Sequence, residues 1–303
     1  MRDKKSFTFL VVASLVWGTS FPAVEYGLNT LHLNFYLIFL LRYFIGAIGS
    51  IAIILFLKRV HLFFTLFKNF RVILIGLLNT IAVILATYGQ IYTASGKAAL
   101  LLNINLIYVA IFAVLIFKEK LDRFKITGII LGIIGAYFLT IGSNFQQLTS
   151  GTLIGDLLIL LAGFVWALYI ILSKGLLDNK DASKSINPIN LNNSMIVISF
   201  LFGLIPFLFL IFLDPTVSIM PNSLFGWISM IHLGISCTTL AYLLYNKGLA
   251  KLSPVIVSIL SLIEVLMATV LGMIFLPNLI YFSIDFVIGA SLILGAIVIS
   301  SLR

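Results

Sequence analysis

The sequence predicts an all-α integral membrane protein of ten transmembrane helices, arranged as two inverted five-helix repeats around a central cavity. Three observations predict it. Of 303 residues, 61% are hydrophobic and only 10% charged, against roughly 25% charged in an ordinary soluble domain. The apolar residues fall in repeated runs of about 20, the length at which a helix rising 1.5 Å per residue crosses a hydrocarbon core of ~30 Å. The chain also repeats itself, with halves meeting near Gly151, so that residues 1–150 and 151–303 form one repeat each.

Polar, proline and glycine breaks divide the apolar runs into spans at 7–27, 34–57, 70–92, 97–117, 124–142, 153–173, 189–213, 223–246, 253–276 and 282–302. The first run follows a basic tip, as in a secretory signal, but it continues to Gly27 and has a counterpart later in the chain. It therefore reads as a retained helix. Basic residues test the segmentation, because connections that stay in the cytoplasm are rich in Lys and Arg. All but two of the 19 lysines and arginines fall at the termini or on one alternate set of connections. The exceptions are Lys97, on the opposite side, and Arg42, inside the second span. Both termini are thus expected in the cytoplasm of a cell whose membrane the chain crosses ten times.

The internal repeat appears as Val11–Trp17 against Leu160–Trp166, which share Ala-x-x-Val-Trp, and as Ser95–Phe117 against Ser253–Phe275. Five helices per half is an odd number, so one half must be inserted upside down relative to the other. Inverted repeats place a site near the bilayer midplane between the halves and allow it to face each side in turn.

In these features the chain resembles the drug/metabolite transporter superfamily, in particular its ten-helix EamA-type branch. The residues that carry the resemblance include Val16-Trp17-Gly18-Thr19-Ser20-Phe21, Leu41-Arg42-Tyr43-Phe44-Ile45-Gly46-Ala47, Thr93–Ala99, Phe117-Lys118-Glu119-Lys120-Leu121 and Gly155-Asp156-Leu157-Leu158. The sequence departs from the family pattern at Leu106 and Val265, where the family usually carries proline. The resemblance implies a secondary transporter, an exporter of amino acids or similar small amphipathic metabolites and drugs.

Ionisable groups at membrane depth are costly and mark function by default. Glu264, ~15 Å along the ninth span at the helical rise, reads either as a cavity carboxylate that binds a cationic group or carries a proton, or as a structural acid between helices. Arg42 and Glu25 read as structural intramembrane charges, with Glu25 near enough in sequence depth to pair with Arg42 or to reach the interface. Lys97 is expected at the outer mouth of the cavity, or as an interfacial lysine reaching for water. Trp17, Thr19, Tyr88, Gln90, Asn105, Trp166, Tyr169, Tyr242, Asn246 and Ser261 complete the expected substrate-binding wall. Of the pair Asn103 and Asn105, a regular helix directs the two ~200° apart, and Asn105 is the one expected inside. Gly128, Gly132 and Gly135 read as close helix packing, with a homodimer face as the further option.

Several classes are excluded. The single cysteine, Cys237, allows neither a disulfide framework nor a multi-cysteine metal site. His32, His61 and His232 are far apart, and neither HExxH, a Walker loop nor GxSxG occurs, so no catalytic residue, metal or cofactor is expected. The net charge of +9 follows the connections rather than a nucleic-acid-binding stripe. The expected partners are the bilayer and a small-molecule substrate. Phosphorylated substrates would need more clustered cations than Arg42 and Lys97 provide. The alternative to transport is a membrane protein without it, a sensor or a complex subunit, which the short connections disfavour.

Overall fold

The computed structural model describes residues 4–142, 152–178, 186–213, 220–275 and 283–301. The repeat junction at Gly151, and Arg2, Lys180, Lys184 and Arg303, lie outside them. Among the described residues, ten helices are long and apolar enough to cross a membrane: Lys4–Thr30, Phe35–Phe56, Phe70–Gly89, Ser95–Phe117, Arg123–Thr140, Leu153–Leu177, Pro188–Phe209, Leu224–Leu249, Pro254–Ile274 and Ile284–Ser301. They are numbered here as spans one to ten. A further short helix, Val60–Leu66, lies between spans two and three.

Span starts are fixed by short polar side chains that accept the first free backbone N–H groups. Asn34, Asn69, Asp122, Thr152, Ser223 and Ser253 cap spans two, three, five, six, eight and nine in this way. Span four begins at Ser95 without a cap of its own. There the carboxylate of Glu25, from span one, accepts the Ser95 N–H at 3.1 Å. The end of span four turns at Lys118, in the left-handed conformation with φ 53°, and is secured by Lys125 on Glu119 at 2.6 Å. The Phe-Lys-Glu-Lys-Leu corner of the sequence is therefore a helix-ending device.

The packing follows the two-fold exchange that inverted halves require. Span five packs along ten, two along seven, and four against nine; three packs on six as eight packs on one. Where spans five and ten meet, a Cβ on Gly289 would stand 2.6 Å from the Leu139 nitrogen, and one on Gly135 would stand 2.9 Å from the Gly289 carbonyl. Gly128 and Gly132 face Ser300, Ala296 and Leu262 of the same chain. These glycines therefore pack closely against spans nine and ten of the same chain.

Spans one, four and nine are each broken part-way, at Thr19, Ile104 and Leu262. Ile104 and Leu262 hold the same repeat position, counted from Ser95 and Ser253. Neither break contains proline. Instead, Asn103 donates to the Ala99 carbonyl at 2.9 Å and Ser261 to the Val257 carbonyl at 3.0 Å, the four-back side-chain bond that bends helices. Thr19 donates to the Val16 carbonyl, three residues back. Span eight widens over His232–Leu240, where Thr238 and Thr239 donate to the carbonyls of Leu233 and Gly234 five residues back. Small hydroxyl and amide side chains thus satisfy carbonyls along the irregular segments, a condition for irregular backbone at membrane depth.

Candidate functional site

These breaks surround a central cavity of about 70 Å³. Its floor is aromatic. Trp17 meets Trp166 and Tyr242 edge-on, with ring centroids 5.7 and 4.9 Å apart, and all three line the cavity. Tyr169 and Tyr245 lie one turn further along spans six and eight, toward the end bearing the basic connections. Tyr169 stacks on Trp166 at 4.4 Å, and Tyr245 packs on Trp17 at 4.9 Å. From this floor the cavity extends along Ser20, Phe21 and Val24 of span one and up span three as far as Gln90.

Two opposite charges share its wall. Arg42 donates through Nε to Thr238 at 2.8 Å, which fixes the guanidinium against span eight. Glu264 enters from just past the break in span nine, on the same cavity lining as Asn103 and Arg42. Among the described residues no ion pair joins them. Gln90 adds a buried amide oxygen that has no hydrogen-bond partner among the described residues.

The structure places Trp17, Gln90, Asn105, Trp166, Tyr242, Ser261 and Glu264 on the cavity wall. It places four other expected wall residues elsewhere. Thr19 is turned to His232, 2.7 Å away on span eight. Tyr88 packs on Phe35 and touches Tyr92 at the far end of span three. Tyr169 and Asn246 are buried behind the floor, where the phenol donates to the amide at 3.4 Å and Asn246 continues to Asn192 of span seven.

Other positions also differ from expectation. Arg42 belongs to the wall itself. Glu25 caps span four and does not pair with Arg42. Lys97 is not at the cavity mouth: it is buried in an ion pair with Asp156 at 2.7 Å, and Thr93 donates to the other carboxylate oxygen at 3.1 Å. Asn103 and Asn105 both line the cavity, because the break at Ile104 removes the regular-helix geometry that set them apart. Ala82, Val83, Ala86 and Thr87 were not foreseen; with Gln90 they form a helical stripe of small and apolar residues, a pattern that also describes ordinary packing.

A second polar cluster braces the floor from behind. Asn79 donates to the Tyr43 hydroxyl at 2.7 Å and to Ser199 at 2.9 Å, and its oxygen accepts from Tyr242 at 2.7 Å. Spans two, three, seven and eight are joined at this one amide.

The model of the EamA-like transporter family matches residues 4–141 and 153–302, one stretch in each half. The chain belongs to this family. It is a multi-pass membrane transporter and not an enzyme. An uncharacterized transporter of Archaeoglobus fulgidus is 25% identical over 247 residues, covering 82% of this chain and 81% of the relative. One of Clostridium kluyveri is 28% identical over 222 residues, covering 72% and 68%. The uncharacterized transporter YoaV of Bacillus subtilis is 28% identical over 167 residues, and the match spans only 56% of that relative's length. A solved structure titled only as the crystal structure of a protein superposes with a TM-score of 0.78 at 16% identity, covering 100% of this chain and 98% of its own. At that identity it speaks for the fold alone.

Proposed function

We propose that this EamA-family protein is a secondary transporter that exports amino acids, or similarly small amphipathic compounds, by alternating access across the cell membrane, with both termini in the cytoplasm. The observation that carries the substrate class is the placement of Arg42 and Glu264 on one cavity wall without a direct ion pair between them. Two opposite charges held apart at membrane depth are each costly alone. A zwitterion offsets both, its carboxylate taking the guanidinium fork and its ammonium group the carboxylate. The apolar remainder of such a substrate fits against Trp17, Trp166, Tyr242 and Phe21.

The halves are arranged so that rocking one against the other would close the cavity on one side and open it on the other. The sequence holds no Walker loop, so concentrative transport draws on an ion gradient or on exchange. Glu264 is the proton carrier in this scheme: with substrate absent its carboxylate takes up a proton, and it returns that proton when an ammonium group arrives.

The test is efflux from proteoliposomes loaded with labelled amino acids and lipophilic cations, with and without a pH gradient. The unaltered chain is compared with Glu264→Gln and Arg42→Gln. Amino-acid release that Arg42→Gln abolishes and Glu264→Gln uncouples from the gradient supports the reading. Release of lipophilic cations only, unaffected by Arg42→Gln, replaces the zwitterion with a cationic drug. Equal release by all three proteins removes both residues from the transport site.

A further inference from the structure

The connection between spans two and three carries Lys58, Arg59, Lys68 and Arg71 around the short helix Val60–Leu66. Basic residues are expected at this end of the molecule. Unlike the cations between spans four and five, these four have no acids near them in sequence to answer them. The sequence contains no Asp or Glu between Glu25 and Glu119, and none of the described ion pairs involves these four cations. The connection between spans four and five also has four cations, but it carries Glu119 and Asp122, and Glu119 holds Lys125. At the start of its connection, Lys174 has Asp178.

The same segment is apolar where it faces away from the protein. None of the seven helix residues is buried. Phe64 is 63% exposed, and Phe56 and Phe70, at the adjoining span ends, are 86% and 73% exposed. The position of the helix is nonetheless defined. Phe63 packs on Phe67 with centroids 4.7 Å apart, the helix rests on spans two and seven, and Arg59 reaches Asn190 of span seven at 3.5 Å. The chain enters it through a tight turn in which Lys58 adopts φ 54° and the Arg59 N–H bonds back to the Ile54 carbonyl. A lysine in the left-handed region is uncommon, and here it sets the first two cations at the start of the helix while Lys68 and Arg71 follow its end.

We propose that this segment is a binding site for anionic phospholipid of the leaflet at the basic end, its phenylalanines seated among the acyl chains and its four cations on the headgroup phosphates. Unanswered positive charge is what a negatively charged leaflet attracts, and the interleaved exposed phenyl rings favour a lipid over a soluble polyanion. A membrane-surface helix with an apolar face and flanking Lys and Arg binds in this manner.

The experiment uses the full chain in liposomes of phosphatidylcholine with a minor fraction of phosphatidylglycerol. A thiol-reactive fluorophore is placed at Phe64→Cys in a Cys237→Ala background, and quenching by brominated phosphatidylglycerol is compared with quenching by brominated phosphatidylcholine. The expected result is a several-fold preference for the anionic lipid over its share of the bilayer. That preference falls at high salt and is lost in the quadruple variant Lys58→Gln/Arg59→Gln/Lys68→Gln/Arg71→Gln. Equal quenching by both lipids overturns the proposal. So does an equal preference at a fluorophore placed by Leu121→Cys on the connection between spans four and five, because it would show no more than the general attraction of the basic end. The salt dependence is read on the chain with all four cations intact, so the proposal stays open to refutation even where the quadruple variant fails to fold.

Discussion

The indole Nε1 of Trp17 donates to the carbonyl of Cys237 at 2.8 Å. This bond joins the last turn before the break in span one to the widened segment of span eight, across the floor of the cavity. The ring meets Tyr242 and Tyr245 on the same span. Trp17 therefore lines the cavity and also fixes the distance between two irregular helices. No such bond is made by the indole of Trp166 among the described residues, although it is the repeat partner of Trp17.

Trp17→Phe keeps an aromatic floor and removes the donor. The Cys237 carbonyl then loses its side-chain partner at membrane depth, a loss of about 1–3 kcal/mol. We expect a lower melting temperature in detergent and slower efflux. Trp166→Phe, which breaks no such bond, is expected to melt closer to the unaltered chain. Equal melting of the two variants would show that Trp17 contributes by ring packing alone.

Asn79→Leu tests the brace behind the floor. Asn79 makes three side-chain hydrogen bonds, to Tyr43, Ser199 and Tyr242. Interhelical bonds in membrane proteins average ~0.6 kcal/mol each, so their joint loss is about 2 kcal/mol. Leucine has the same branched shape and number of side-chain heavy atoms, so the change leaves no cavity. The expected outcome is a clear drop in thermal stability without loss of membrane insertion, whereas Tyr43→Phe, which removes two hydrogen bonds, costs less.

Two glycines of the closing helices should respond in opposite ways. A Cβ on Gly289 meets backbone atoms of Leu139 and Gly135 at 2.6 and 2.7 Å, and backbone cannot rotate away. Gly289→Ala therefore forces spans five and ten apart, at a cost of about 1–3 kcal/mol or more. Gly295, six residues on, has nothing within 4 Å of such a Cβ. Gly295→Ala is expected to be neutral or slightly stabilising, because alanine favours the helix by up to ~1 kcal/mol. Thermal unfolding of the two variants side by side decides the matter.

The ten spans were legible in the sequence because length, apolarity and the side of the basic residues all point to one segmentation. The broken helices were not. Leu106 and Val265 stand where proline would have announced a break, and the residues that bend the helices, Asn103 and Ser261, read in sequence as ordinary interior polar groups. A regular helix would turn only one of Asn103 and Asn105 inward, whereas the bend at Ile104 turns both. Trp17 and Trp166 could be placed through their repeat equivalence. The wall on span three could not, because Ala82, Val83 and Ala86 look the same on a cavity as in a packed interface. Tyr169 and Asn246 show the converse difficulty: their polarity suggested a wet surface, but they satisfy one another behind it.

Thr19 and Ser20 are adjacent in sequence but face opposite ways. Thr19 donates to the Val16 carbonyl at 2.6 Å and contacts His232 at 2.7 Å. It holds the break in span one against span eight and stays off the cavity wall. Ser20 lines the cavity. Thr19→Val preserves shape and removes these contacts and the one to the Cys237 sulfur at 3.6 Å, so its effect should fall on the movement of span one against span eight. The expected signature is reduced maximal efflux with little change in the substrate concentration giving half-maximal rate. Ser20→Ala alters the wall and leaves the break intact, so it is expected to shift the half-maximal concentration and spare the maximal rate. The reverse assignment, with Thr19→Val changing apparent affinity and Ser20→Ala changing only rate, would mean that the transported molecule passes on the His232 side of span one and that the cavity described here is not its route.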